Sequence, residues 1–287
     1  MIIVFYLANL LFGLVLMLPF RAVLDNFSGK TLMGAKLAGR LDMDFLFDLL
    51  THNQNMVSIF TGMVLVVPAV YWLFSLFLSG GAFSVLVKGE KYSAAMFWNG
   101  AATYFGRFFR IFLWSLPVLG ILFCVQFIET GLERLIFGKV PYQNISYWGG
   151  WVKFSLRTLS ILLFGLVLDY ARIHAVLTDE KRMRVSVWQG IKFAFGNIGR
   201  TFGLTFILFL AGAVVLVIYN PISNALAAPN VLVVIALFLL QQTYMMFRMT
   251  LRLTLFASQL NLYNKLSTES EEVTVPAAAE PGLAGTV

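Results

Sequence analysis

The chain has little charge, one cysteine and two histidines. Only 12% of its 287 residues are charged and 59% are hydrophobic, whereas soluble globular proteins average about 25% charged residues. This shortage of charge excludes a soluble enzyme and a disordered chain. The single cysteine, Cys124, excludes a disulfide framework. The histidines, His52 and His174, are far apart and have no Cys or Glu at metal-ligand spacing, so we predict no metal site.

Catalytic and cofactor-binding motifs are missing as well. No serine stands in a G-x-S-x-G context. The glycine-containing segment 34–41 has Arg40 and Leu41 where a phosphate loop needs Lys and Ser or Thr. Without a complete catalytic set, we predict that the protein is not an enzyme and binds no cofactor.

Long apolar segments are abundant. A membrane-spanning helix needs about 20 mostly apolar residues, and only helices and closed barrels satisfy their backbone groups in lipid. These segments are too long and too uniformly apolar for barrel strands. The sequence therefore predicts an all-α, polytopic transmembrane helical bundle of about six spans. The segments are 2–20, a stretch within 56–87, 111–128, 154–177, 201–218 and 231 to beyond 247.

These segments suggest the following organisation. The transmembrane bundle covers residues 1–266, and an acidic tail at 267–287 is predicted to be disordered. Within the bundle we distinguish a first span (1–20), an outer loop (21–55), two repeats (56–130 and 146–220) and a last span (231–260).

The positive charge is spread unevenly over the loops. Of the 21 Lys and Arg residues, 13 fall on the side that holds loops 88–110 and 178–200, and eight fall on the other side. The positive-inside rule then places both termini in the cytoplasm. Because the basic residues are spread over many loops instead of forming one face, we expect membrane lipids as partners and no nucleic acid.

An internal repeat appears when the chain is shifted by 90 residues. Residues 90–112 and 180–202 are identical at eight of 23 ungapped positions. Each copy predicts a span, a short polar turn, and an amphipathic helix that continues into the next span. Two spans per copy give both copies the same orientation, which is a parallel repeat. The identical pairs include Trp98/Trp188, Gly100/Gly190, Phe105/Phe195 and Arg110/Arg200.

The repeated segments have apolar, mostly aromatic residues at helical spacing. Positions 98, 101, 105, 108 and 112, and again 188, 191, 195, 198 and 202, follow one another at intervals of three and four residues, as on one helix face. We expect these helices to lie at the membrane interface, with aromatic side chains among the lipid headgroups and basic side chains facing water. The predicted interfacial residues are Trp98, Phe105, Phe108, Arg110, Trp188, Phe195 and Arg200.

A cluster of charges interrupts the fourth and sixth spans. If the fourth span starts near Arg157, Asp169 lies about 18 Å inside a hydrocarbon core about 30 Å thick. Its carboxylate then needs a partner, either Arg172 on the same helix or a residue of the sixth span. Three interpretations remain open: a structural ion pair between the fourth and sixth helices, a long helix whose end stands in the cytoplasm, and a transport site. The predicted intramembrane charge cluster is Asp169, Arg172, His174, Arg248 and Arg252.

The repeated unit resembles known families. Segments 89–112 and 179–202 are similar in hydropathy order and basic-aromatic pattern to uncharacterised bacterial multi-pass membrane families, including the membrane-anchor domain of some glycerophosphodiester phosphodiesterases. The resemblance implies a bacterial inner-membrane location. Because the chain has no soluble phosphodiesterase domain, it implies no catalytic residue.

Two functions follow from these observations. The first is a non-enzymatic inner-membrane protein that serves as a membrane-embedded partner or assembly component, bound to another membrane protein or to a second copy of itself. The second is a small transporter or lipid-handling protein that uses the Asp/Arg site.

Overall fold

The computed structural model describes residues 1–28, 51, 54–89, 91–138, 142–225 and 230–274, and this part of the chain is helical without any strand. The side chains of residues 19–20, 22–28, 54–60, 126, 129, 223–225 and 269–274 are outside the description. The helices are α1 (Ile2–Ser28), α2 (Gln54–Lys88), α3 (Ala94–Phe137), α4 (Gln143–Leu177), α5 (Met183–Gly196), α6 (Ile198–Ala225) and α7 (Val231–Thr274).

Special residues mark the ends of several helices. Gly89 follows α2 with φ +63° and Gly138 follows α3 with φ +80°; this left-handed conformation suits glycine and commonly ends helices. Asn197 separates α5 from α6 with φ −122° and ψ 36°. The first amphipathic segment therefore continues into its span as one helix, α3, whereas the second is a separate helix.

Five of the described helical segments are long and apolar enough to cross a membrane: Thr61–Lys88, Ala94–Phe137, Gln143–Leu177, Ile198–Ile222 and Val231–Thr268. A shorter apolar segment, Ile2–Leu18, lies in α1. The 44 residues of α3 correspond to about 66 Å of helix, about twice the thickness of the hydrocarbon core. Helices of this length extend beyond the hydrocarbon unless they tilt strongly.

Two predicted boundaries are wrong. The helix α1 continues to Ser28, past the predicted loop start at residue 21. The helix α7 continues to Thr274, so residues 267–274 are helical and not a disordered tail. Glutamates at 269, 271 and 272 are good helix formers, which favours this extension. The remaining tail, 275–287, and most of the outer loop are outside the described residues.

The chain divides into two compact units. The first comprises Met1–Arg110 and Phe206–Thr254, and the second comprises Ile111–Thr205 and Leu255–Val287. In the first unit α1 packs against α2, and in the second unit α4 packs against α5. Phe12 of α1 contacts Tyr71 and Phe74 of α2, with ring centroids 5.4 and 5.8 Å apart.

Buried residues of α2 and α4 are concentrated toward the C-terminal end of each of these two helices. In α2 they fall within 75–85, and in α4 within 166–176, apart from a single residue at 160. The stretch 61–74 of α2, which has no charged residue, is exposed or half-buried. Exposed apolar surface of this kind is stable when lipid covers it. Each unit therefore combines a lightly buried apolar part with a well-packed end.

Candidate functional site

The predicted charge cluster contains a closed ion pair. Nη1 of Arg172 donates a hydrogen bond to Oδ1 of Asp169 at 3.1 Å, and the two residues are 7% and 9% exposed. Three residues separate them on α4, so both side chains project from the same helix face. Of the partners expected for Asp169, the structure has Arg172. The contact neutralises both charges inside the packed end of the second unit.

The helix α5 covers this part of α4 at very short range. A Cβ added at Gly190 would lie 2.7 Å from the backbone nitrogen of Ala171 and 3.0 Å from its Cα. Tyr170, which follows Asp169, packs against Phe193 of α5 and Tyr263 of α7, with ring centroids 4.8 and 6.4 Å apart. Backbone contact at Ala171 and aromatic packing at Tyr170 keep this end of α4 in place.

His174 lies two residues beyond Arg172 on α4. It is half-buried, and its Nδ1 is 3.4 Å from Oγ of Ser186 on α5. A neutral imidazole at this position can donate to or accept from the hydroxyl. His174 therefore contributes to the α4–α5 contact.

The two other predicted members of the cluster, Arg248 and Arg252, belong to the first unit. The guanidinium of Arg248 lies over the ring of Tyr244 at 6.0 Å. Nη2 of Arg252 donates to Oγ of Ser75 at 2.6 Å, and its guanidinium lies 5.5 Å from the ring centroid of Phe5. Arg252 thus connects α7 with α2 and α1 inside this unit.

The predicted interfacial face of α3 is divided between core and surface. Ala101 and Phe108 are buried, so the prediction of an interfacial Phe108 is wrong, whereas Trp98 and Phe105 remain exposed. Both exposed rings contact Phe77 of α2, at 6.0 Å each. The apolar face of α3 is wider than the surface that α2 covers, so the residues at its edge, Trp98 and Phe105, remain exposed. Arg110 is also exposed, as are Trp188, Phe195 and Arg200 in the second segment.

A second feature, which the sequence analysis missed, is a groove of about 570 Å³ between the end of α3 and the start of α4. We call it the α3–α4 groove. The contacts between these helices include Nζ of Lys153, which lies 3.4 Å from Oε2 of Glu133, and Oγ of Ser160, which donates to the carbonyl of Leu122 at 2.9 Å. The groove is lined by Val125, Ile128, Leu132, Glu133, Ile136, Phe137, Asn144, Ile145, Trp148, Gly149, Val152 and Leu156.

The sequence contains a pattern of apolar residues that indicates this groove. Apolar residues at 125, 128, 132 and 136 recur every three or four positions on α3, and residues 145, 148, 152 and 156 do so on α4. Such spacing marks one helix face. It was overlooked because both faces extend past the apolar segments into stretches with charges, where no span was predicted.

Neither the Asp169–Arg172 ion pair nor the α3–α4 groove offers a set of metal ligands. Within the described ranges, no three His, Cys, Asp or Glu side chains are close enough to hold a metal ion. What the groove offers a ligand is apolar surface, one carboxylate and one amide.

No family model, curated protein or solved structure matches the chain. Five long apolar helices are compatible with a multi-pass membrane protein. Any more specific function has to be argued from the ion pair and the groove.

Proposed function

We propose that this chain is a non-enzymatic, multi-pass protein of the bacterial inner membrane that binds a membrane-embedded partner through the α3–α4 groove. One observation carries the proposal: the groove exposes a continuous apolar surface beyond the charge-free part of its own helix. Lipid tails cover apolar surface inside the bilayer, but they do not reach this region.

The length of the groove supports this argument. The charge-free segment of α3 ends at Ile128, and the groove continues to Phe137, about 14 Å further along the helix. The headgroup layer on each side of a bilayer is only about 5–8 Å thick. The far end of the groove therefore stands in headgroups or water, where a contiguous exposed apolar patch typically marks an interaction site.

The residues around the groove are typical of binding surfaces. Trp148 on its wall is 63% exposed, and Tyr147 and Trp151 beside it are exposed as well. Aromatic residues dominate the energetics of interfaces because they bury a large area at low cost in conformational entropy. A groove between two helices suits a third helix with an apolar face. The partner is then a helix of another membrane protein or of a second copy of this chain.

The transport alternative has less support. A coupling carboxylate has to be reached by substrate or water, yet Asp169 is buried and paired with Arg172, and neither residue lines the α3–α4 groove. Intramembrane charges often mark functional sites, but a closed pair within one helix also serves as a structural contact. We therefore assign the pair a structural role.

The proposal includes the orientation and the parallel repeat. With the basic loops inside, the groove faces the periplasm and both termini face the cytoplasm. The glycines at the repeat-related positions support the repeat. A Cβ at Gly100 would overlap the Ser84 side chain of α2, and one at Gly190 would press on Ala171 of α4. In both copies a glycine thus lies where two consecutive helices, α2 and α3 or α4 and α5, come very close together. We call each of these helix pairs a hairpin.

Photocrosslinking in native membranes tests the binding function. A photoreactive phenylalanine analogue replaces Ile136 in the groove, and in a matched control it replaces Ile121, an exposed residue in the charge-free part of the same helix. We expect a discrete protein adduct from position 136 and lipid adducts alone from position 121. Lipid adducts alone from both positions would contradict the proposal.

A pair of substitutions tests whether the adduct needs the groove. Leu132 lines it, while Leu135 on the same helix is 84% exposed and does not line it. Leu132→Ser should abolish the adduct from position 136, and Leu135→Ser should leave it intact. Equal effects of the two substitutions would mean that the partner binds elsewhere.

A further inference from the structure

Two cations and a tryptophan alternate on an exposed face of α5. Arg184, Trp188 and Lys192 are four residues apart, so they occupy one helix face. All three are exposed, with Trp188 at 57%. We call these three residues, together with Trp114 of α3, the α5 stripe.

Each cation of the α5 stripe lies over an indole ring. The guanidinium carbon of Arg184 is 5.3 Å from the ring centroid of Trp114, and Nζ of Lys192 is 5.7 Å from that of Trp188. These are cation–π distances, an arrangement that holds a cation in place without neutralising it. Neither Arg184 nor Lys192 forms an ion pair with a carboxylate in the described part of the chain. The stripe therefore presents two uncompensated positive charges.

The position of Trp114 places the stripe at a membrane surface. Trp114 is the fourth residue of the charge-free segment 111–128, and it is 50% exposed. Tryptophan favours the level where hydrocarbon meets headgroups. Because Arg184 lies against this ring, it is held near the same level, where the phosphates of lipids lie.

From this geometry we infer that the α5 stripe is a binding site for an anionic phospholipid. The lipid phosphate lies in front of Trp188 between Arg184 and Lys192, and its acyl chains descend along Trp114. A phosphate accepts hydrogen bonds from both cations, and the indoles contact the glycerol and upper methylene groups. An anionic lipid fits better than a zwitterionic one because the two charges of the stripe are not balanced.

The first hairpin provides an internal comparison. Ninety residues earlier the chain has Ala94, Trp98 and Ala102. The tryptophan is present there and both cations are missing. The lipid site is therefore a property of α5 and not of the repeated pattern as a whole.

The assignment rests on the proposed membrane insertion but not on the α3–α4 groove. Native mass spectrometry of the full chain in detergent, titrated with phosphatidylglycerol or phosphatidylcholine, measures it directly. We expect retention of phosphatidylglycerol in preference to phosphatidylcholine, and a loss of about tenfold or more in apparent affinity for Arg184→Gln with Lys192→Gln. A free anion should not compete, so excess inorganic phosphate should leave lipid retention unchanged.

A charge-matched control is Lys88→Gln with Lys91→Gln, which removes two exposed cations next to the first hairpin. An equal loss in this control would overturn the site in favour of general surface charge. Displacement by inorganic phosphate would overturn the lipid as the ligand. Ala94→Arg with Ala102→Lys should add a second retained phosphatidylglycerol, and this gain does not depend on the folding of the loss variants. The crosslink from position 136 reports on the groove separately.

Discussion

At the scale of single residues, the Asp169–Arg172 contact shows how a buried charge can be tolerated. Removing a carboxylate and a guanidinium from water is costly, and their attraction offsets that cost only when the contact is good. The 3.1 Å contact between these two buried residues provides that attraction. The sequence indicated this pairing because three residues separate the two side chains. It did not distinguish Arg172 from Arg248 and Arg252, since that choice depends on tertiary packing.

We predict that breaking the pair destabilises the fold more than removing it. Asp169→Asn leaves a buried guanidinium without this carboxylate and should lower the free energy of unfolding by about 3 kcal/mol. Asp169→Asn with Arg172→Met removes both charges at similar volume and should recover at least half of the loss. Denaturant unfolding in detergent micelles measures both variants.

The partly buried pair of Lys153 and Glu133 provides a comparison for this cycle. Lys153→Gln breaks the contact with Glu133, in which the side chains are 37% and 12% exposed, and should cost less than Asp169→Asn because the lysine end of the contact is open to solvent. If Asp169→Asn with Arg172→Met lowers the free energy of unfolding by as much as the sum of the two single substitutions, Asp169 and Arg172 do not act as a pair.

At the scale of helices, glycine sets the distance between the arms of each hairpin. Gly190 meets the backbone of Ala171, which cannot move aside as a flexible side chain can. The sequence predicted the hairpins from the 90-residue offset and their helical spacing. It could not predict which part of the aromatic arc is buried. Trp98 and Phe108 belong to the same arc, and only the position of α2 separates them.

We predict opposite effects of two glycine-to-alanine substitutions in the second unit. Gly190→Ala should destabilise by about 1–3 kcal/mol because the helices have to separate. Gly199→Ala has no atom within 4 Å of its new Cβ, so it should be neutral or stabilising by up to about 1 kcal/mol through helix propensity. Thermal unfolding of the two variants in one detergent compares them, and a stabilising Gly190→Ala would contradict the close contact.

At the scale of the whole molecule, composition predicted the class of fold better than its details. Low charge and long apolar segments led to an all-helical protein, because a lipid environment leaves a chain few alternatives. Helix ends were predicted less well. Both α1 and α7 extend past their apolar segments, since a helix continues through compatible polar residues until glycine or another terminator stops it. The α3–α4 groove was missed for the same reason.

The central claim at this scale is that the charged pair is sealed and structural, as the proposed function without transport requires. Cysteine labelling tests this claim, because Cys124→Ser alone removes every native thiol. Three positions are labelled in that background with a membrane-impermeant thiol reagent. They are Tyr142→Cys, Lys181→Cys, and Asp169→Cys combined with Arg172→Met to avoid an unpaired charge.

The account predicts labelling of position 142 from the periplasmic side only and of position 181 from the cytoplasmic side only. Position 169 should be labelled from neither side while the protein is folded, and it should become reactive on denaturation. If position 169 reacts from either side at a rate close to that of the exposed positions, water reaches the pair. That result would contradict the account and favour a transport pathway through Asp169.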